Sequence, residues 1–182
     1  MAQIIDGKAL AKQVREEIKA ETEAMEAKHG IVPGLAVILV GNDPGSEVYV
    51  RNKKNDCEKV GFYSEVIHLP EETSADTILE HIKKLNHTDT IDGILVQMPL
   101  PGHLDASSIL NTIRPHKDVD GLHPVNMGRL LSGQPCMAPC TPKGVMRMLD
   151  SIGCEIEGKR AVVVGRSVLV GKPIAMMLLA RN

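Results

Sequence analysis

Ile91-Asp92-Gly93-Ile94-Leu95-Val96-Gln97-Met98-Pro99-Leu100-Pro101 decides the fold. Its first six residues are aliphatic apart from Asp92 and Gly93, partly β-branched and bounded by polar residues, which predicts a short buried parallel strand. Gln97 then stands at the carboxyl end of that strand, the side on which open α/β sheets bind ligands. Pro99 and Pro101 cannot continue a ladder and force an extended, stiff exit. A strand terminator with a polar cap would have the same pattern, so the segment alone does not assign a site.

Upstream, residues 6–29 repeat Leu10, Val14 and Ile18 at four-residue spacing among Lys, Arg and Glu. That is a long amphipathic helix, closed by Gly30. Leu35-Ala36-Val37-Ile38-Leu39-Val40 predicts a first buried strand, and Gly41-Asn42-Asp43-Pro44-Gly45 a turn. Ser46 is expected to cap a helix reaching Val60, with Gly61 as its stop. Residues 62–69 alternate as a second strand, and 75–85 carry Ile78, Ile82 and Leu85 on one helical face. Strand-helix-strand-helix-strand is the order of a parallel sheet with right-handed crossovers.

Downstream, a short helix is expected over 105–113, a loop over 114–121 and a second short helix over 124–131. Thr141 as N-cap with Pro142 at N1 opens a helix to Ile152. Arg160-Ala161-Val162-Val163-Val164 predicts a further strand, and Gly165 a turn into a last helix ending near Asn182. The Gly/Pro/Ser-rich stretch 132–139 sets a domain boundary at 139–141. The fold class is α/β: a three-layer, parallel-sheet N-terminal domain, followed by the start of a Rossmann-like one.

Composition narrows the function classes. With 43% apolar residues but one Phe, two Tyr and no Trp, the core must be aliphatic. A net charge of −2 carries no basic stripe for nucleic acid. No apolar run approaches a membrane span, and the start lacks the pattern of a signal peptide, so the cytosol is expected. Cys57 and Cys154 stand alone, and Cys136 and Cys140 are four apart around a proline. His103, His116 and His123 form no helical i, i+4 pair, so no metal is expected.

Three groups could carry chemistry. Tyr49 and Lys53 share a helix face after the first strand, where a phenol and an amine could position a substrate and move its protons. Solvated side chains at the same spacing are equally ordinary. Asp118 and Asp120 precede Gly121; a carboxylate there can accept two parallel N–H bonds from a planar heterocycle, or the Asp-Gly pair simply makes a turn. Gly165-Arg166-Ser167 follows a strand and precedes a helix, a place suited to a phosphate, and a guanidinium fork favours NADP over NAD.

Tyr49-Val50-Arg51-Asn52-Lys53, Asp92 through Pro101, Lys117-Asp118-Val119-Asp120-Gly121, Pro139-Cys140-Thr141-Pro142 and Gly165-Arg166-Ser167 with Val170-Gly171 and Pro173 occur in one order. Together they resemble the bifunctional methylenetetrahydrofolate dehydrogenase/methenyltetrahydrofolate cyclohydrolase family. The resemblance implies oxidation of 5,10-methylenetetrahydrofolate with NADP, then hydrolysis of the methenyl cation to 10-formyltetrahydrofolate. It implies that Lys53 is the principal catalytic residue, that Gln97 orients and tunes it, that Tyr49 packs on the folate and that Asp120 holds the pterin edge. Gly165, Arg166 and Ser167 would bind the cofactor. A folate-binding catalytic domain would cover 1–140 and the start of an NADP-binding domain 141–182. A homodimer is expected, with no metal, nucleic-acid or membrane partner. The family's chain continues through further nucleotide-domain strands and a Pro-Gly-Gly-Val-Gly-Pro segment, so this sequence is expected to be a fragment or part of a longer chain.

Physical chemistry fits those roles. Beside a methenyl cation an ammonium would be repelled, while a neutral amine could take a proton from water. A short-chain dehydrogenase also uses Tyr-x-x-x-Lys, but its glycine-rich turn precedes that pair, and here Gly165 lies far downstream of Tyr49. A folate-binding or dimer-forming fragment without catalysis is the non-enzymatic alternative.

Overall fold

The computed structural model describes residues 3–181. The elements in chain order are α1 (Gly7–His29), β1 (Gly34–Val40), α2 (Pro44–Val60), β2 (Tyr63–Leu69), α3 (Ala75–Asn86), β3 (Gly93–Val96), α4 (Ala106–Asn111), α5 (Pro124–Leu131), α6 (Cys140–Ser151) and α7 (Gly171–Leu179). They fall into two compact units: Gln13–Asp118, and a second formed by the N-terminal residues through Lys12 with the stretch from Val119 onward.

In the first unit the sheet has the order β2-β1-β3, and both pairings are parallel. Gly34 pairs with Tyr63 and Val40 with Leu69, while Leu35 pairs with Gly93 and Ile38 with Val96. The alternation of β1 divides its side chains between two faces. Ala36, Ile38 and Val40, with Ile94 and Val96 of β3, pack on Ile78, Ile82 and Leu85 of α3 and Ile109 of α4. Val37, Leu39 and Leu95 are buried on the opposite face, where α2 contributes Val50, Cys57 and Val60. These are the three layers that the sequence predicts. Ile38, Ile78, Ile82 and Ile94 are fully enclosed, and burial of such a side chain contributes about 1.5–3 kcal/mol.

Local chemistry refines several boundaries. The cap of α2 is Asp43, whose carboxylate accepts from the Ser46 amide at 2.7 Å, with Pro44 in the first turn. Ser46 therefore supplies the bonded N–H, and its expected capping role is corrected. Gly61 ends α2 in the left-handed region at φ 81°. β3 is shorter than 91–97: Asp92 closes its start by accepting from the Gly34 amide at 2.9 Å through Oδ2. The Gln97 amide still bonds Ile38 O at 2.8 Å, and Met98-Pro99 is cis. On its free edge Ile94 forms one parallel bridge with Asp118, and its N–H bonds Lys117 O at 2.7 Å.

In the second unit α6 and α7 pack together and α5 meets α7. Three expectations are corrected there. Helix α6 begins at Cys140 with Pro139 as its cap residue and no side-chain capping bond, so Thr141 lies inside the first turn. Residues 160–164 form no strand, and Val162 and Val164 are 85% and 99% exposed. A strand exists only through ladder bonds to a neighbour, and among the described residues of this unit there is no other strand. The last helix ends at Leu179, earlier than expected, and Arg181 pairs with Asp150 at 2.7 Å.

Candidate active site

Tyr49 and Lys53 lie one turn apart on α2, which leaves the carboxyl end of β1 through the Asp43 cap. Because β3 lies beside β1 in the same direction, its last residues return to that edge. Lys53 Nζ donates to Gln97 Oε1 at 3.1 Å. Gln97 Nε2 in turn donates to Met98 O at 2.7 Å, which orients the amide with its oxygen toward the lysine. The same Nζ lies 5.5 Å from the centroid of the Tyr49 ring, and Tyr49 is 63% exposed. An amine is thus held by one acceptor beneath an open aromatic face, an arrangement able to stack a planar ligand and exchange a proton with it.

The structure separates the two aspartates. Asp118 is 2% exposed and part of the β3-edge bridge, whereas Asp120 is half-buried in the following loop. Just before them Lys117, only 8% exposed, donates to Leu85 O at 3.1 Å and Thr88 O at 2.9 Å at the end of α3. A cation at a helix C-terminus is well placed against the carbonyls there. Sequence reasoning missed this anchor, since a lysine in a polar loop looks solvated.

Gly165, Arg166 and Ser167 form an exposed turn before α7. Ser167 Oγ accepts from the amides of Val170 at 3.1 Å and Gly171 at 3.3 Å, and Lys172 N–H bonds Ser167 O at 2.9 Å. The first amides of α7 are therefore bonded within the turn, which revises the expectation that they face an anion directly. A Cβ at Gly171 would fall 2.5 Å from Gly165 C and O and 2.7 Å from Arg166 N. This backbone contact fixes the turn that presents Arg166. With both lone pairs engaged, the Ser167 hydroxyl keeps its proton to offer, and beside a guanidinium that donor set fits phosphate.

An apolar concavity of about 530 Å³ is lined by Leu149, Ile156, Val163 and Leu178, with Cys154 and the ion pair of Glu155 and Lys159 also on its wall. Among the described residues no group of three or more His, Cys, Asp or Glu could hold a metal, and no helix is long and apolar enough to cross a membrane.

Two family profiles match the chain: tetrahydrofolate dehydrogenase/cyclohydrolase, catalytic domain, over residues 5–120, and tetrahydrofolate dehydrogenase/cyclohydrolase, NAD(P)-binding domain, over residues 139–182. The bifunctional protein FolD 2 of Myxococcus xanthus is 54% identical over 181 residues, covering 100% of this chain and 63% of that protein. FolD of Moorella thermoacetica is 55% identical, covering 100% of this chain and 64% of that protein. The chain thus spans less than two thirds of the length of these relatives. Among solved structures, the bifunctional FolD of Campylobacter jejuni superposes with a TM-score of 0.97 at 45% identity, covering 99% of this chain and 64% of that one. The Trypanosoma brucei dehydrogenase-cyclohydrolase, solved with NADP and an inhibitor, gives 0.95 at 36%, covering 100% and 62%. The chain belongs to the tetrahydrofolate dehydrogenase/cyclohydrolase family.

Proposed function

We propose that this protein oxidises 5,10-methylenetetrahydrofolate with NADP and hydrolyses the resulting methenyl cation to 10-formyltetrahydrofolate. The observation that carries the reading is the Lys53 amine held by Gln97 Oε1 at 3.1 Å beneath the Tyr49 ring, within the stretch matched to the family's catalytic domain. Residues 1–140 act as the folate-binding catalytic domain and 141–182 as the start of the NADP-binding domain. A cytosolic homodimer, working without metal, nucleic acid or membrane, completes the proposal.

NADP, when bound, supplies the hydride acceptor for the first step. Arg166 and Ser167 hold its phosphates, and Gly165 keeps the turn free of a side chain. Tyr49 packs against the folate, and the Asp120 carboxylate accepts the amino and ring N–H of the pterin as two parallel bonds. This positions the one-carbon bridge for loss of hydride. In the second step the oxygen of water bonds to the methenyl carbon while its proton passes to neutral Lys53. The bond from that carbon to N5 then breaks as the new hydroxyl loses its proton to solvent and becomes the formyl carbonyl, and Lys53 returns a proton to N5. Gln97 holds the amine throughout, because its oxygen can accept an N–H from either protonation state of Lys53.

The test is conversion of 5,10-methylenetetrahydrofolate with NADP⁺ by the purified protein, following NADPH and 10-formyltetrahydrofolate together. Both products are expected; NADPH without enzymatic formation of 10-formyltetrahydrofolate would remove the hydrolytic half of the proposal.

A further inference from the structure

We infer that residues 137–140 form a rigid seat for the Asp120 loop, with Gly121 and Cys140 as positioning residues that set the Asp120 carboxylate for the pterin edge. The inference rests on the role of Asp120 proposed above. A carboxylate that must accept two parallel N–H bonds has to be set to within about 0.5 Å and 10–20°, which a free loop does not provide.

Both neighbours of Asp120 are fixed to the same segment. On one side the Cys140 thiol donates to Val119 O at 3.6 Å, a weak bond to the carbonyl immediately before Asp120. On the other, Gly121 adopts φ 66°, and a Cβ there would lie 2.7 Å from Ala138 C and Met137 O and 2.8 Å from Pro139 N. A side chain at 121 is thus excluded by backbone conformation and by backbone atoms that cannot swing away. The seat itself is stiff. Pro139 holds φ −53° through its ring, and its carbonyl accepts from the Lys143 amide at 3.1 Å as α6 begins. Cys140 is the first residue of that helix, so its thiol is presented from a regular element. Asp120 is bracketed by a thiol bond and a van der Waals contact, and its backbone has little freedom left.

The experiment is a titration of the protein with tetrahydrofolate, alongside its thermal midpoint, for Asp120→Asn, Cys140→Ala, Cys140→Ser, Gly121→Ala and the double variant Asp120→Asn/Cys140→Ala. Cys140→Ala is expected to weaken tetrahydrofolate binding about three- to tenfold, and Cys140→Ser, which keeps a donor, to recover most of it. In the Asp120→Asn background Cys140→Ala should cost nothing further, because residues that act through one another are not additive. Unchanged binding by Asp120→Asn would instead remove the proposed role of Asp120. If Asp120→Asn weakens binding but Cys140→Ala lowers only the thermal midpoint, or if the two losses multiply, the seat is overturned while Asp120 keeps its role. Gly121→Ala should weaken binding more than Cys140→Ala; if it does not fold, the Cys140 cycle decides alone.

Discussion

Lys53 Nζ donates to Gln97 Oε1 across 3.1 Å, although the two residues stand 44 apart in the chain. Parallel pairing of β1 with β3 makes this meeting possible, since a helix that leaves β1 and the residue that follows β3 share one edge of the sheet. Met98 O then takes Gln97 Nε2 at 2.7 Å and fixes which end of the amide faces the lysine.

The proposed chemistry divides at Lys53. Hydride loss needs the folate held in place, which is positioning, whereas ring opening also needs a proton taken from water and one returned to nitrogen. General acid–base help is worth about 10²–10⁴-fold. Lys53→Met, similar in length but unable to carry a proton, should therefore lose hydrolysis by about that factor and retain more of the dehydrogenase activity. Gln97→Leu should act in the same direction and less severely. The measurement is methenyl hydrolysis, corrected for the spontaneous rate, beside NADPH formation on the same variant. Hydrolysis by Lys53→Met at the wild-type rate would make the lysine structural.

Under the proposed function, Arg166 should separate two nicotinamide cofactors. Its guanidinium is exposed at the turn that the contact of Gly165 with Gly171 holds rigid. A charge-assisted bond to a 2′-phosphate is worth about 10- to 100-fold in binding. Arg166→Ala should raise the KM for NADP⁺ by roughly that factor and barely change that for NAD⁺. Equal effects on the two would place Arg166 away from the 2′-phosphate.

What was legible in the sequence is what period and order control. The alternation of 35–40, the helical face of Ile78, Ile82 and Leu85, and the strand around Ile94 each report a local burial pattern, and their order implies a parallel sheet. The link of Gln97 to Lys53 beside Tyr49 was implied by the family resemblance rather than by period or order, and the parallel sheet brings the three together. Features set by a distant partner were not legible. The strand expected at 160–164 has suitable residues but no paired neighbour in the structure described. Lys117 reaches the end of α3, and Gly121 meets 137–139, through contacts that no local window contains. Asp43 and Ser46 exchanged capping roles because both residue types suit the position, and only the backbone angles decide between them.

The four cysteines should divide by exposure. Burial pushes the Cys57 thiol up, and its acidic neighbours Asp56 and Glu58 add to that. Cys140 and Cys154 are exposed and Cys136 is half-buried. A thiol-alkylating reagent at mildly alkaline pH should label Cys140 and Cys154 first and Cys57 only on unfolding, as read by peptide mass spectrometry. A raised thiol also favours the folded state while it stays protonated. That contribution is complete below the ordinary thiol range and is lost as pH rises through the folded value, so Cys57→Ala should flatten the alkaline fall in stability. Labelling of Cys57 as fast as Cys154 in the folded protein would contradict this.

The acid side of stability should depend on Asp43. The Ser46 amide donates to its carboxylate at 2.7 Å, and this bond is the main reason its pKa lies below the usual carboxylate range, with the Ser46 side chain and the Gly45 amide adding to it. A lowered carboxylate stabilises the fold in its charged form, so the contribution is present above the ordinary carboxylate value and is lost as pH falls through the folded one. Asp43→Asn keeps an oxygen for the Ser46 amide but removes the charge that favours a helix N-terminus. It should melt slightly below the wild type at neutral pH, and the two curves should converge as the pH drops. Asp43→Ala removes the acceptor as well and should melt lower than both at neutral pH. Because α2 carries Tyr49 in its second turn and Lys53 one turn further on, a frayed start should also raise the KM for the folate in Asp43→Ala more than in Asp43→Asn. Thermal melts across the acid range, paired with folate kinetics at neutral pH, check both halves. Parallel melting curves for Asp43→Asn and the wild type at every pH would show that the carboxylate charge plays no part in holding α2.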